Sequence, residues 1–333
     1  VTRNLTRRQL LLGAAGLTGA AGLGALAYTI GWEPEWLELV ERELPIRGLP
    51  ATLEGRTLVQ LSDLHIGPRV DSSYIAETFA RVTALQPDIV VMTGDWVTYR
   101  GPAQLEELSR LMGHFPRGRL ATLGILGNHD YGFQWRMPEV ADAIATRLDA
   151  AGVQLLRNSA VDVSGLTIIG LEDLWGPYFR PPPALLGPRD TARLVLCHNP
   201  DAADLPIWDG YQGWILAGHT HGGQCKPPFL APPILPVDNP RYTAGEIDVA
   251  GGRQLYISRG VGYMIRARFN VRPEVTRFVM RRTANGERRT ANRDQGSARG
   301  MGDVISGPLF AVRGSPFAIP PTPPGPAPPT PRS

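Results

Sequence analysis

The chain has 333 residues, 43% of them apolar, enough for a sizeable buried core. Its formal net charge of +3 is a property of the ends. Residues 1–8 carry +3, residues 281–333 carry +5, and the stretch between them is about −5. No basic face is implied, so no nucleic-acid partner is expected; two cysteines, Cys197 and Cys225, exclude a disulfide framework and read as unpaired thiols.

The first segment contains Thr6-Arg7-Arg8-Gln9-Leu10-Leu11, followed by an uncharged stretch from Gln9 to Trp32 whose hydrophobicity Gly13, Gly16, Gly19, Gly22 and Gly24 dilute. An arginine pair before a weakly apolar run resembles a twin-arginine export signal, and Ala25-Leu26-Ala27 has the form of a cleavage site. The alternative is an uncleaved membrane anchor, since the run approaches bilayer length. Either way residues 1–30 place the rest of the chain outside the cytoplasm, in the periplasm or cell envelope, with the translocation machinery as a partner and membrane or wall association open.

Residues 31–55 read as a connecting segment with an early strand, Glu43 to Ile46. From there strands and helices alternate. Thr57–Ser62 is a strand; Ser72 to Gln86 is a helix with Ile75, Phe79 and Val82 on one face and Ser72 as its cap. Asp88–Thr93 is a strand, Gln104 to Met112 a helix, Leu120–Leu126 a strand and Pro138 to Ala150 a helix with proline in its first turn. That rhythm predicts an α/β sheet covered by helices. Strands then dominate: Val153–Leu156, Ala160–Val163, Leu166–Leu171, Arg193–Cys197, Gly213–Ala217, Glu246–Val249, Gln254–Ser258 and Glu274–Met280. The two halves predict a two-sheet sandwich flanked by helices. Residues 283–333, rich in Gly, Arg and Pro, read as a disordered tail.

Five of the six histidines stand where a predicted strand runs into a loop, the place where ligands gather on α/β sheets. Asp63-Leu64-His65 follows the first such strand; in extended backbone Asp63 and His65 point the same way and reach one ion. Gly94-Asp95 offers a carboxylate with two oxygens. Gly127-Asn128-His129-Asp130 offers a neutral carbonyl oxygen at Asn128, an imidazole facing substrate at His129, and Asp130 to orient that imidazole. His198 ends another strand. Gly218-His219-Thr220-His221-Gly222-Gly223 sets two imidazoles two residues apart. Each of these except the last has an ordinary structural explanation when taken alone: a turn, a cap or a satisfied core histidine. His114 has no such company and reads as a cation at a helix end.

As an ordered set, D-x-H, G-D, G-N-H-D, H and G-H-x-H resemble the calcineurin-like metallophosphoesterase superfamily. Ser258–Gly262 and Arg268–Glu274 are similar to its exported branch, which includes cell-wall phosphoesterases and UDP-2,3-diacylglucosamine pyrophosphatases. The resemblance covers residues 56–282, taken as the catalytic domain, and implies a four-layer α/β/β/α fold. It also implies a first metal on Asp63, His65 and His221 and a second on Asn128, His198 and His219, with Asp95 bridging. His129 would be the proton donor, backed by Asp130. The reaction it implies is hydrolysis of phosphodiesters or phosphomonoesters by a metal-bridging hydroxide. The rivals are a pyrophosphatase acting on UDP-diacylglucosamine and a non-catalytic metal-containing binding protein. Nitrogen and oxygen ligands without sulfur suit two divalent ions such as Mn, Fe or Zn. Arg259, Arg266, Arg268 and Arg272 are read either as a phosphate clamp or as ion pairs, and Trp175, Tyr178 and Phe179 as loop residues near the cleft.

Overall fold

The computed structural model describes residues 6–283, so the proposed tail lies outside the described residues except for its first residue, Thr283. These residues fall within one compact unit. The first helix, α1 (Arg7–Gly31), takes up the glycine-diluted segment. Among the described residues no helix is long and apolar enough to cross a membrane. Ala25–Ala27 lies inside α1, and the end of the helix is docked: Arg268 N–H donates to Thr29 O (2.9 Å) and Arg266 Nε to Ile30 O (3.2 Å).

The first sheet has the order β1-β12-β2-β3-β4-β5. Its strands are β1 (Glu38–Arg47), β2 (Thr57–Leu61), β3 (Ile89–Thr93), β4 (Ala121–Ile125), β5 (Gln154–Leu155) and β12 (Glu274–Thr283). The 31–55 segment thus does more than connect. Its strand starts at Glu38 and pairs in parallel with β12 over its whole length, Glu38 opposite Glu274 through Arg47 opposite Thr283. β2, β3 and β4 are parallel, joined by α2 (Ser72–Ala84) and α3 (Pro102–Met112); α4 (Pro138–Ala150) leads from β4 to β5. Asp71, not Ser72, caps α2: its carboxylate accepts the Ser73 N–H at 2.8 Å.

The second sheet has the order β10-β11-β9-β8-β7-β6. It comprises β6 (Ser159–Val163), β7 (Leu166–Gly170), β8 (Ala192–Leu196), β9 (Gly213–Ala217), β10 (Gly245–Val249) and β11 (Arg253–Ile257), with β7, β8, β9 and β11 parallel.

Strand alternation sorts the apolar residues into layers. Leu58, Ile89, Val91, Leu123 and Ile125 meet Ile168, Leu194, Leu196 and Leu216 between the sheets. Val59, Leu61, Val90 and Met92 face the other way, onto Ile75, Phe79, Leu108 and Ile144 of the helices. Ile169, Val195 and Ile215 face outward from the second sheet beneath Trp208, Tyr211 and Leu186. The fourth layer is therefore short: the four-residue helix α5 (Pro183–Leu186), 3-10 turns and loops. Gln60 ties the sheets together below the site, donating to Ala217 O (2.9 Å) and Thr93 Oγ1 (3.0 Å).

Candidate metal centre

Both sheets aim the carboxyl ends of their parallel strands at one spot. Asp63 and His65 follow β2, Asp95 follows β3, Asn128 follows β4, His198 follows β8, and His219 and His221 follow β9. The backbone that presents them is not extended. Asp63 (φ 54°), His65 (49°), Asp95 (57°), His219 (73°) and His221 (50°) are all left-handed, a conformation non-glycine residues adopt at a cost. Alternation along a strand is thus not what sets Asp63 and His65 on one ion site; a pair of left-handed turns does. Hydrogen bonds over-determine these turns: Asp63 N–H to Gly94 O, His65 N–H to Asp95 O and His219 N–H to Asp63 Oδ1, each 3.0 Å.

The donor atoms converge in two groups, Asp63/His65/His221 and Asp95/His198/His219, each with its ligating atoms within 4.8 Å of one another and every residue buried. His65 Nε2 lies 2.9 Å from His221 Nε2, and the two rings stack at 4.9 Å. His221 Nε2 is 3.4 Å from Asp63 Oδ1. Asp95 stands between the groups: its Oδ2 is 3.6 Å from His65 Nε2 and 3.2 Å from His198 Nε2.

The outward nitrogens have partners that fix the inward ones as lone pairs. His198 Nδ1 donates to Thr93 O (2.7 Å), leaving Nε2 for the site. His219 Nε2 donates to Pro236 O (2.8 Å), leaving Nδ1. His65 Nδ1 sits 2.9 Å from Thr98 Oγ1. Burial drives the pKa of His65 and of His219 down to about 3, so both are neutral and ligand-ready. His198 goes the other way. Burial opposes its charge, yet Asp95, Asp63 and Asp173 together raise its pKa well above the ordinary value. The field at this point favours positive charge.

The fit to divalent cations rests on unsatisfied atoms. Asn128 Oδ1 and Nδ2 are buried without a hydrogen-bond partner, and His198 Nε2 has only the Asp95 carboxylate beside it. A buried orphan costs about 1–3 kcal/mol, and the carbonyl oxygen of Asn128 is the atom a cation would satisfy. Asn128 lies beside Asp95, whose Oδ1 accepts the N–H of the next residue, His129, at 2.9 Å. The donor set is nitrogen and oxygen, the chemistry of borderline and hard divalent ions. Neither cysteine joins it: Cys197 is buried with its sulfur near Asn199 O, Cys225 is half-buried, and both are free.

His129 is half-buried at the rim, its ring edge-on to His65 at 5.1 Å, and burial lowers its pKa. Asp130 departs from expectation. Its oxygens accept the backbone N–H of Val97 (3.0 Å) and Gly127 (2.9 Å), so it clamps the β3 and β4 loops together rather than orienting the His129 ring. The arginines are spent as well. Arg259 pairs with Glu274 and Glu38, Arg266 with Glu35, and Arg272 lies over Trp36. Arg268 is fully buried and gives its N–H groups to the carbonyls of Val271, Arg259, Gly260 and Gly262. None is free as a clamp. His114 is exposed beyond the end of α3, away from the donor groups.

Asp173 and Trp135 escaped sequence reasoning, whereas Trp175 was placed near the cleft. Asp173 is buried, and burial pushes its pKa up to about 6; its Oδ1 accepts the Trp175 N–H and its Oδ2 has no partner. Trp175 touches His219 edge-on at 4.5 Å, and Trp135 stacks on Trp175. The run from Leu171 to Trp175, with two acids before an aromatic, was the available signal for Asp173. Trp135 had none.

The calcineurin-like phosphoesterase family model matches residues 56–223. A phosphodiesterase of Escherichia coli K12, YaeI, is 33% identical over 278 residues, covering 81% of this chain and 97% of its own. The uncharacterized metallophosphoesterase YkuE of Bacillus subtilis is 30% identical, covering 84% and 99%. The UDP-2,3-diacylglucosamine pyrophosphatase LpxG of Chlamydia trachomatis is 27% identical, covering 73% and 89%.

Proposed function

Because the chain belongs to the calcineurin-like phosphoesterase family of metal-dependent hydrolases, we propose that it hydrolyses phosphodiester or phosphomonoester bonds at a two-cation centre outside the cytoplasm. Asp63, His65 and His221 would hold one ion, Asn128, His198 and His219 the other, and Asp95 both. The observation that carries this reading is the convergence of these side chains from two sheets with the buried amide of Asn128 left unpaired. Divalent ions such as Mn, Fe or Zn, held there, supply an activated water and neutralise charge on the phosphoryl oxygens.

The chain's own part is positioning. Thr93 and Pro236 carbonyls hold His198 and His219 in one tautomer each. Asp130 fixes the Gly127 end of the loop that carries Asn128 and His129. With its pKa lowered by burial, His129 is a neutral imidazole at pH 7 and serves the leaving oxygen as a hydrogen-bond donor. A diphosphate substrate is the second reading, favoured by the similarity to the pyrophosphatase of Chlamydia trachomatis.

The test is a panel on the Mn-loaded full chain: bis-p-nitrophenyl phosphate, p-nitrophenyl phosphate and a nucleoside diphosphate sugar. His129→Ala should keep its metal and lose about 10²- to 10⁴-fold in turnover, most with poor leaving groups. Metal lost in step with activity would refute that role. Export through Arg7 and Arg8 is tested by replacing both with lysine, which should hold the protein in the cytoplasm. A cut after Ala27 would spare the contacts of Thr29 and Ile30 with the domain.

A further inference from the structure

The loops above the centre carry an aromatic pair that phosphoester chemistry does not require. The Trp135 and Trp175 rings stack with centroids 4.7 Å apart and planes 24° from parallel. One end of the pair abuts a ligand candidate: Trp175 meets His219 edge-on at 4.5 Å. The other end faces the residue placed at the leaving oxygen: Trp135 lies 6.5 Å from His129, at 74°. The pair therefore runs along the leaving-group side of the centre.

Trp135 packs against the edge of the helix-side core, but packing does not account for the whole setting. Both rings stay half-buried, so part of each indole surface remains open. Yet both are held firmly. Gln134 (φ 52°) and Trp135 (φ 60°) are left-handed, a costly state for a bulky residue, and complete burial of the ring is not what it achieves. On the other loop, Trp175 N–H donates to Asp173 Oδ1 (2.8 Å) and Gly176 N–H to Asp173 O (3.0 Å). A Cβ on Gly176 would come within 3.0 Å of the Tyr131 ring, which keeps that turn close-packed. Two loops from different sheets have thus been shaped to present indole surface beside His129.

We propose that Trp135 and Trp175 form a stacking platform for a flat ring carried by the substrate's leaving alcohol, a nucleobase or a simple aryl group. Flat rings stack on indole whatever their hydrogen-bonding pattern, so the platform selects for a ring rather than for one base. The proposal rests on the phosphoester reading of the centre, and the test separates the two.

On the Mn-loaded full chain the dissociation constant of inorganic phosphate is measured by calorimetry, and apparent affinities are measured, as KM from initial rates where the ester is hydrolysed, for two matched pairs: AMP against ribose 5-phosphate, and phenyl phosphate against methyl phosphate. The ring-bearing member should bind about 5-fold tighter or more. Trp135→Ala should bring the ratio close to one while phosphate affinity and Mn content stay as they were; Trp135→Phe and Trp175→Phe should keep most of it. A preference in both pairs assigns nucleobases and aryl groups alike; a preference in one pair assigns that ring. No preference in the wild-type protein, or a preference that survives Trp135→Ala, overturns the platform alone. Failure of phosphate itself to bind overturns the phosphoester reading and the platform with it.

Discussion

Replacing Gly94 by alanine probes the centre without replacing any of its proposed ligands. Gly94 has φ +93°, and a Cβ there would sit 2.7 Å from Gly127 N and 2.7 Å from His198 Nδ1. Ordinary contact begins near 3.5 Å, so each neighbour has to retreat by about 0.8 Å. The His198 ring cannot retreat and keep its 2.7 Å bond to Thr93 O, so Nε2 swings away from Asp95. The positive φ contributes about 1–2 kcal/mol of strain and the overlap about 1–3 kcal/mol, together about 2–5 kcal/mol. Displacement of a reacting constellation by about 1 Å costs on the order of 10²-fold in rate. Gly55→Ala is the control, since Gly55 has φ +74° with nothing within 4 Å of its would-be Cβ. Urea unfolding in EDTA should show Gly94→Ala less stable than Gly55→Ala by the overlap term. Hydrolysis of bis-p-nitrophenyl phosphate should fall about 10²-fold in the first variant and not in the second. Equal midpoints and equal turnover would refute the reasoning.

Asn128→Leu removes two buried atoms that have no protein partner; it should be neutral or stabilising by about 1 kcal/mol in EDTA. The same variant should lose most of the rise in melting temperature that Mn gives the wild type, and an undiminished rise would contradict the ligand assignment. Thr98→Val takes the partner from His65 Nδ1 and should weaken Mn binding about 10- to 100-fold by competition with a chelating dye. Asp88 accepts from Thr57 N–H (2.8 Å), Arg56 (3.2 Å) and Arg119 (2.9 Å). Burial opposes its charge, but these donors hold its carboxyl below the usual carboxylate range. A depressed acid stabilises the fold above its unfolded pKa near 3.9, and that contribution is lost as pH falls through the folded value. Asp88→Asn should cost about 1–3 kcal/mol at pH 7, measured in EDTA, with the gap to wild type narrowing below about pH 4. A gap that is constant to pH 3 would exclude the linkage.

Periodicity made most elements readable because their burial is one-sided or complete: Ile75, Phe79 and Val82 of α2 face Val59 and Val90 of the first sheet. β1 was cut short because residues 38–42 are half-exposed and charged; what makes them strand is a partner, β12, at the far end of the chain. The donor residues were readable because each stands where a strand ends, and that position survives any uncertainty in packing. How the backbone presents them was not, since left-handed turns at Asp63, His65 and Asp95 are held by bonds between loops. Asp130 was misread for the same reason: its partners, Val97 and Gly127, lie on two different loops. Trp135 gave no signal because a single aromatic in a loop acquires meaning only from what stacks on it.

The place of β12 between β1 and β2 also sets the order in which the molecule can be assembled. As the chain leaves the ribosome, β2 to β5 and then the second sheet can pair while β1 waits. One edge of β2 stays open until Glu274–Thr283 appears and lies antiparallel to it. An open interior strand is a template for wrong partners, and closure by so distant a segment is slow. The end of α1 waits too, because the groups that hold it, Arg266 and Arg268, come just before β12. A chain stopped short of Glu274 would therefore carry two sticky edges and an undocked leading helix, however well its metal-side loops had formed.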